Sequence, residues 1–211
     1  MKRRLALLVA ACLAFALTSP PLVAAGLDRR EKRIVSLVDQ QMPETLTLLQ
    51  QSVDIPSATQ DLKGVHAMAD YYAKELQKLG FTTKWIPMPD AMNRAGHLVG
   101  EIDGSKGKRL LLIGHLDTVL EGAGWSVTGE TGHGNGSVDM KGGNAIILAA
   151  LHALHDAGAL KNRRIIVFFS GDEEDAGDPV STSRRDMIDA AKRSNAALGF
   201  EASVGDTATV A

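Results

Sequence analysis

The sequence predicts an α/β fold with a mostly parallel sheet and helices on both faces. Three observations lead there. First, Leu-Leu-Leu-Ile at 110–113 and Ile-Ile-Val-Phe-Phe at 165–169 are unbroken apolar runs, the pattern of strands buried on both faces. Second, helical patterns at 144–157 and 186–192 alternate with these runs and with a third short apolar segment at 196–200, and strand–helix alternation builds parallel sheets. Third, aromatic residues are only 4% of the chain while glycines number 21, which favours aliphatic packing with tight turns over an aromatic-rich β-sandwich.

Residues 1–25 read as a signal peptide. Lys2, Arg3 and Arg4 form a positive start, Leu5 to Leu17 is apolar, and Val23-Ala24-Ala25 offers a small-residue cleavage site before Gly26. The apolar run is shorter than the ~20 residues of a membrane-spanning helix. The mature chain is therefore expected in the periplasm or outside the cell. Val9-Ala10-Ala11-Cys12 resembles a lipoprotein box, but the apolar run continues past it, which disfavours anchoring there.

The mature segment opens on a charged stretch, Leu27 to Arg33, expected to be solvated. Ile34, Leu37 and Val38 recur at helical spacing. Pro43 interrupts, and Leu46, Leu49 and Val53 mark a second helix. Asp54-Ile55-Pro56-Ser57 is a turn. A third helix runs from about Val65 to Leu79, with one apolar face, and stops at Gly80. Phe81–Met88 and His97–Asp103 read as strands, Gly104–Lys108 as a hairpin-like turn, and Arg109–Gly114 as a buried strand. A glycine-rich loop covers Gly122 to Gly143. The helix at Asn144–Ala157 carries a core stripe from Ile146 to Leu154 and closes at Gly158. Arg164–Ser170 is the next buried strand.

Composition excludes several functions. A net charge of −2 gives no basic surplus for nucleic acid and no acidic tail for a charged partner. The one cysteine, Cys12, lies in the leader, so the body has neither disulfide nor thiolate metal site. A metal site must use His and carboxylates, which suits a catalytic zinc better than a structural one.

Such residues cluster at the ends of the apolar strands. In Gly114-His115-Leu116-Asp117-Thr118, His115 and Asp117 are two apart and point the same way on an extended segment. A metal-bound imidazole needs an acceptor on its other nitrogen to set its tautomer. In Ser137-Val138-Asp139-Met140-Lys141-Gly142-Gly143, Asp139 precedes a helix whose first glycines allow close backbone approach. It cannot be a phosphate loop, because the Lys lacks the required glycine spacing and no Ser or Thr follows it. Gly171-Asp172-Glu173-Glu174-Asp175 leaves the carboxyl end of a buried strand, where open α/β sheets bind ligands. Glu201 follows the third strand. One His and several carboxylates at neighbouring strand ends suit two zinc ions ~3.5–4 Å apart, bridged by one carboxylate, with another carboxylate free to accept a proton from water.

GHLDTV, DMKGG, GDEE and a Glu after an apolar strand, in that order, resemble the zinc exopeptidases and deacylases. That family includes glutamate carboxypeptidase, aminoacylase and succinyl-diaminopimelate desuccinylase. The resemblance implies that 26–211 is the N-terminal part of a zinc-dependent catalytic domain. It implies His115 as a ligand of one zinc, Asp117 as its orienting group, and Asp139 as the bridging carboxylate, with a cis Asp139–Met140 peptide. Glu173 is then the general base, Glu174 a ligand of the other zinc, and Glu201 the remaining ligand of the His115 zinc. Cobalt or manganese could replace zinc. The implied substrates are small peptides or N-acyl amino acids, and a full-length form could be a homodimer. Departures are a later His ligand and a dimerisation or lid domain that this sequence lacks, and a shorter loop between Asp117 and Asp139. They keep open a second reading, a truncated, catalytically incompetent metal-binding fragment. A calcium-binding module is disfavoured, for no EF-hand spacing is present. His133 reads as an exposed loop residue, His66, His97, His152 and His155 as structural, and Trp85 and Trp125 as packing or loop residues.

Overall fold

The computed structural model describes residues 26–202; the leader reading and Cys12 fall outside them. The chain divides into two compact units, residues 1–32 and 33–211. In the first, residues 26–32 are exposed.

Three helices come first: α1 (Arg29–Gln40), α2 (Met42–Val53) and α3 (Leu62–Lys78). Pro43 sits in the first turn of α2, where its missing N–H costs no helical hydrogen bond. Asp61 caps α3 by accepting from the Gly64 amide at 2.9 Å. Gly80, with φ +85°, supplies the left-handed residue that ends it.

The sheet follows: β1 (Thr82–Pro87), β2 (Gly96–Asp103), β3 (Arg109–His115), β6 (Arg164–Ser170) and β7 (Ala196–Gly199). Its order is β1-β2-β6-β3-β7. β3 is parallel to both β6 and β7, and β2 is antiparallel to β1 and β6. Four of the five strands therefore share one direction. α4 (Lys141–Asp156) connects β3 to β6. The short α5 (Val180–Ser183) and α6 (Arg185–Lys192) connect β6 to β7.

Both faces of the sheet are covered. Leu98, Leu112, Ile165, Val167 and Phe169 pack with α3 and α4 in the main core. Leu111, Ile166 and Phe168 face Ala190 and Met187 of α6 on the other side. β6 is buried from Ile165 to Ser170, as its apolar run requires.

Four expectations change. Gly104–Lys108 is no hairpin, because β6 lies between β2 and β3; the amides of Gly104 and Lys106 bond instead to the carbonyls of Arg163 and Asn162. The glycine-rich loop contains a small hairpin, β4 (Ser126–Thr128) and β5 (Thr131–His133), turning through Gly129 at φ +61°. The third apolar strand, β7, is exposed along its length at the end of the sheet. Ile146 is 58% exposed, so the α4 core face is Ile147, Leu148 and Leu151.

Candidate metal centre

β3 and β6 run side by side and end level, with His115 opposite Ser170. Their next residues open into loops over one end of the sheet, and the functional side chains gather there. His115 is buried to 1% exposure. Its backbone is held on two sides: its carbonyl accepts from Asn144 Nδ2 at 2.6 Å, and its amide faces Met140 Sδ at 3.1 Å.

The ring of His115 has two distinct environments. Nδ1 faces the Asp117 backbone carbonyl at 2.9 Å and the Asp117 carboxylate at 3.4 Å. Both are acceptors, so Nδ1 carries the proton. Nε2 faces Asp139 Oδ1 at 3.0 Å, Glu201 Oε1 at 3.7 Å and Glu173 Oε2 at 4.0 Å. A neutral ring would aim its lone pair at three carboxylates, an arrangement that calls for a cation or a second proton between them. Burial lowers the His115 pKa, but the Asp117 hydrogen bond and the charges of Asp117, Glu201 and Glu173 outweigh it and push it up to about 9. His115, Asp139 and Glu201 each place a ligand atom within 4.8 Å of the others.

Asp117 carries more than the ring. Its carboxylate is buried and accepts from Thr59 Oγ1 at 2.8 Å, the Glu173 amide at 3.1 Å and the Glu174 amide at 3.2 Å. Burial disfavours its charged form. His115, Thr59 and the Glu173 amide reverse that and hold the carboxyl below its usual range. One carboxylate thus ties the end of β3 to the acidic loop after β6.

Glu174 is different. Its Oε1 is buried and has no hydrogen-bond partner among the described residues. Burial, and then the charge of Asp139, push its pKa up. Glu201 is raised by burial too, with Asp139 and Glu173 adding to the shift and His115 opposing it. A buried, unpartnered carboxylate oxygen is costly unless something binds it. With the ring nitrogen, this oxygen-rich donor set fits divalent ions, and His115, Asp139, Glu174 and Glu201 are the residues that could hold them.

The glycines of the DMKGG segment act as expected of close approach. A Cβ on Gly143 would collide with the carbonyl of Phe200, the residue before Glu201. Asp139–Met140 is a cis peptide.

Of the sequence-identified residues, His115, Asp139 and Glu201 come together, with Asp117 and Glu173 beside the His115 ring and Glu174 outside that trio; the supports behind them were not foreseen. Thr59 comes from the loop before α3. Asn144 is a buried polar residue in an apolar helix, a signal that was present. His97 is buried, accepts from the Gly171 amide at 3.2 Å on Nδ1 and meets the Ser183 carbonyl at 2.9 Å through Nε2, a structural role. The other structural histidines are elsewhere: His66 stacks on Trp85 at 4.5 Å, His152 lies 3.7 Å from Glu75, and His155 and His133 are exposed.

Fold and site together define an α/β domain with a candidate metal site at the carboxyl ends of its parallel strands. Residues 111–210 match the family model described as Peptidase family M20/M25/M40. It is 34% identical to carboxypeptidase G2 of Pseudomonas sp. (strain RS-16), over 94% of this chain and 48% of that protein. It is 32% identical to a succinyl-diaminopimelate desuccinylase of Rhizorhabdus wittichii, over 63% of this chain and 35% of that protein. The chain thus spans about half or less of the length of these relatives. Among solved structures it resembles human carnosine dipeptidase 1, with a TM-score of 0.66, 19% identity, and coverage of 82% of this chain and 41% of that one. The dipeptidase Dug1p of Saccharomyces cerevisiae gives a TM-score of 0.64 at 20% identity, covering 80% and 40%. These likenesses concern the fold.

Proposed function

We propose that this chain supplies the metal-binding part of an exported, metal-dependent hydrolase that cleaves an amide bond in small peptides or N-acyl amino acids. The observation that carries the reading is His115 Nε2, the nitrogen left to bind a cation once Nδ1 donates to Asp117, facing Asp139, Glu201 and Glu173 within 4.0 Å. The relatives' names, a carboxypeptidase and a desuccinylase, support amide hydrolysis. The leader pattern supports export, and no described helix is long and apolar enough to cross a membrane.

In this reading His115 and Glu201 would hold one ion and Glu174 the other, with Asp139 the carboxylate that both would share. When bound, two zinc ions supply Lewis acidity toward the scissile carbonyl and lower the pKa of a water. The Asp117 carbonyl and carboxylate keep the His115 proton on Nδ1 and so leave Nε2 free to donate its lone pair. Glu173, about half exposed and beside the ligand set, takes a proton from the attacking water on its carboxylate and delivers it to the leaving nitrogen. Adjacent residues cannot easily reach one ion together, which separates the roles of Glu173 and Glu174.

The test is zinc binding by equilibrium dialysis, together with release of free amino acid from N-acyl amino acids, for the wild-type chain and Glu173→Ala. The proposal expects turnover in the wild type, and bound metal without turnover in the variant. Retained turnover removes Glu173 from the base role. A wild type that binds zinc without turnover supports an incompetent metal-binding fragment.

A further inference from the structure

Four acids in a row, Asp172 to Asp175, repel one another, and the structure divides them into two pairs. Asp172 is fully buried and faces inward. It accepts from Arg184 Nη1 at 2.7 Å, Ser183 Oγ at 2.6 Å and the Gly177 amide at 2.9 Å. Asp175 is bound by Arg94, which reaches both its carbonyl and its carboxylate at 2.6 Å. Each outer acid has an arginine. Among the described residues no arginine binds the side chains of the inner two, Glu173 and Glu174, which lie on the side of the candidate metal centre.

The contacts on the inner pair go to the backbone. Their amides donate to Asp117. From the other side, Arg184 Nη2 donates to the Asp172 carbonyl at 3.1 Å and reaches toward the Glu173 carbonyl at 3.4 Å. One guanidinium therefore neutralises the buried Asp172 with one nitrogen and holds the following peptides with the other. A planar fork does both at once, whereas an ammonium is a single point charge.

We propose that Arg184 is a positioning residue for the metal centre: it fixes the backbone of the acidic loop so that the Glu173 and Glu174 carboxylates point at the ions. The inference rests on the metal reading above, with Glu174 as a ligand. Arg184 touches neither ion nor substrate in this arrangement.

Charge and position predict opposite outcomes, which makes the idea testable. If Arg184 acted only as a nearby positive charge, its removal would strengthen cation binding. If it positions the loop, its removal weakens binding, by the ~10–100-fold typical of losing an outer partner of a metal ligand. The experiment measures zinc affinity by chelator competition, and amide hydrogen exchange of the metal-free protein at Glu173 and Glu174. It compares the wild-type chain with Arg184→Ala, Arg184→Lys and Arg193→Ala, the last removing a surface arginine paired with Glu101. The expected result is about 10–100-fold weaker zinc binding in both Arg184 variants, faster exchange at the two glutamates, and wild-type behaviour for Arg193→Ala. Arg184→Ala strands the buried Asp172 charge; if it fails to fold, Arg184→Lys, which keeps the charge without the fork, decides. Equal or tighter zinc binding in a folded Arg184 variant overturns the proposal. A wild type that binds no zinc overturns the metal reading instead, and unchanged exchange in the metal-free variants then overturns the positioning role by itself.

Discussion

Asp117→Asn isolates the contact that joins the two halves of the candidate site. The side chain keeps its shape but loses its charge and one acceptor. In the native chain one carboxylate receives the Thr59 hydroxyl and the amides of Glu173 and Glu174, in a place with 1% exposure. Asparagine has one carbonyl oxygen and one NH2 group. If the oxygen takes the position that serves Thr59 and Glu174, the Glu173 amide faces another donor. Losing one hydrogen bond to a charged group costs roughly 1.5–3 kcal/mol, and the two that remain fall from charge-assisted to neutral strength. The charge also disfavours burial, so removing it returns part of the loss. The net expectation is a destabilisation of about 2–4 kcal/mol. Urea unfolding followed by Trp85 and Trp125 fluorescence measures it, and a cycle with Thr59→Val extracts the pair coupling, expected at ~0.5–3 kcal/mol. The depressed Asp117 pKa gives the same interaction a pH signature: stability present above the unfolded carboxyl pKa of ~3.9 and lost as pH falls through the folded value. A change below ~0.5 kcal/mol, the size of an ordinary surface substitution, would refute the assignment of Asp117 as the tie between β3 and the acidic loop.

Three other outcomes follow from the same geometry. Gly143→Ala gains up to ~1 kcal/mol in helix propensity, but its methyl meets a backbone carbonyl at Phe200; overpacking at ~1–3 kcal/mol wins, and calorimetry should record a lower melting temperature together with weaker zinc binding through the displaced Glu201. Glu174→Gln relieves a crowded carboxylate whose Oε1 lacks a partner among the described residues; the metal-free chain should melt higher than wild type while zinc affinity drops, and unchanged zinc affinity would contradict the ligand role. Burial lowers the His97 pKa more than Asp172 raises it; with the folded value below the unfolded ~6.5, the contribution is complete above pH ~6.5 and fades as pH falls, so His97→Gln should flatten the stability slope between pH ~7 and ~5.

Much of this was legible in the sequence because β3 and β6 are buried on both faces, and burial on two sides leaves an unbroken apolar run. The connections Lys141–Asp156 and Arg185–Lys192 then fixed parallel neighbours. The placement of β2 was not legible: its partner is β6, some sixty residues away, and a local turn such as Gly104–Lys108 carries no information on which strand will lie alongside. β7 misled for the opposite reason, since a short apolar segment reads alike at an edge and in a centre. The candidate site residues could be read from four motifs because each motif sits where a strand or loop delivers it to one end of the sheet. Thr59 could not, for it meets Asp117 across 58 residues of chain; Asn144 stood out as a polar residue in an apolar helix, but its partner did not, and neither the burial of Asp172 nor its pairing with Arg184 shows in a run of four acids. In Asp172-Glu173-Glu174-Asp175 the sequence shows four equal charges, and only the fold separates the two held by Arg184 and Arg94 from the two left facing the site.

The central claim is that His115, Asp139, Glu174 and Glu201 surround divalent ions. Crystals of the wild-type chain grown with zinc, with anomalous differences collected on either side of the zinc absorption edge, test it most directly. The account predicts two zinc peaks ~3.5–4 Å apart, one beside His115 Nε2 and Glu201, the other beside Glu174, with Asp139 between them. Zinc bound elsewhere on the surface, with His115 Nε2 protonated and hydrogen-bonded to Asp139, would contradict it.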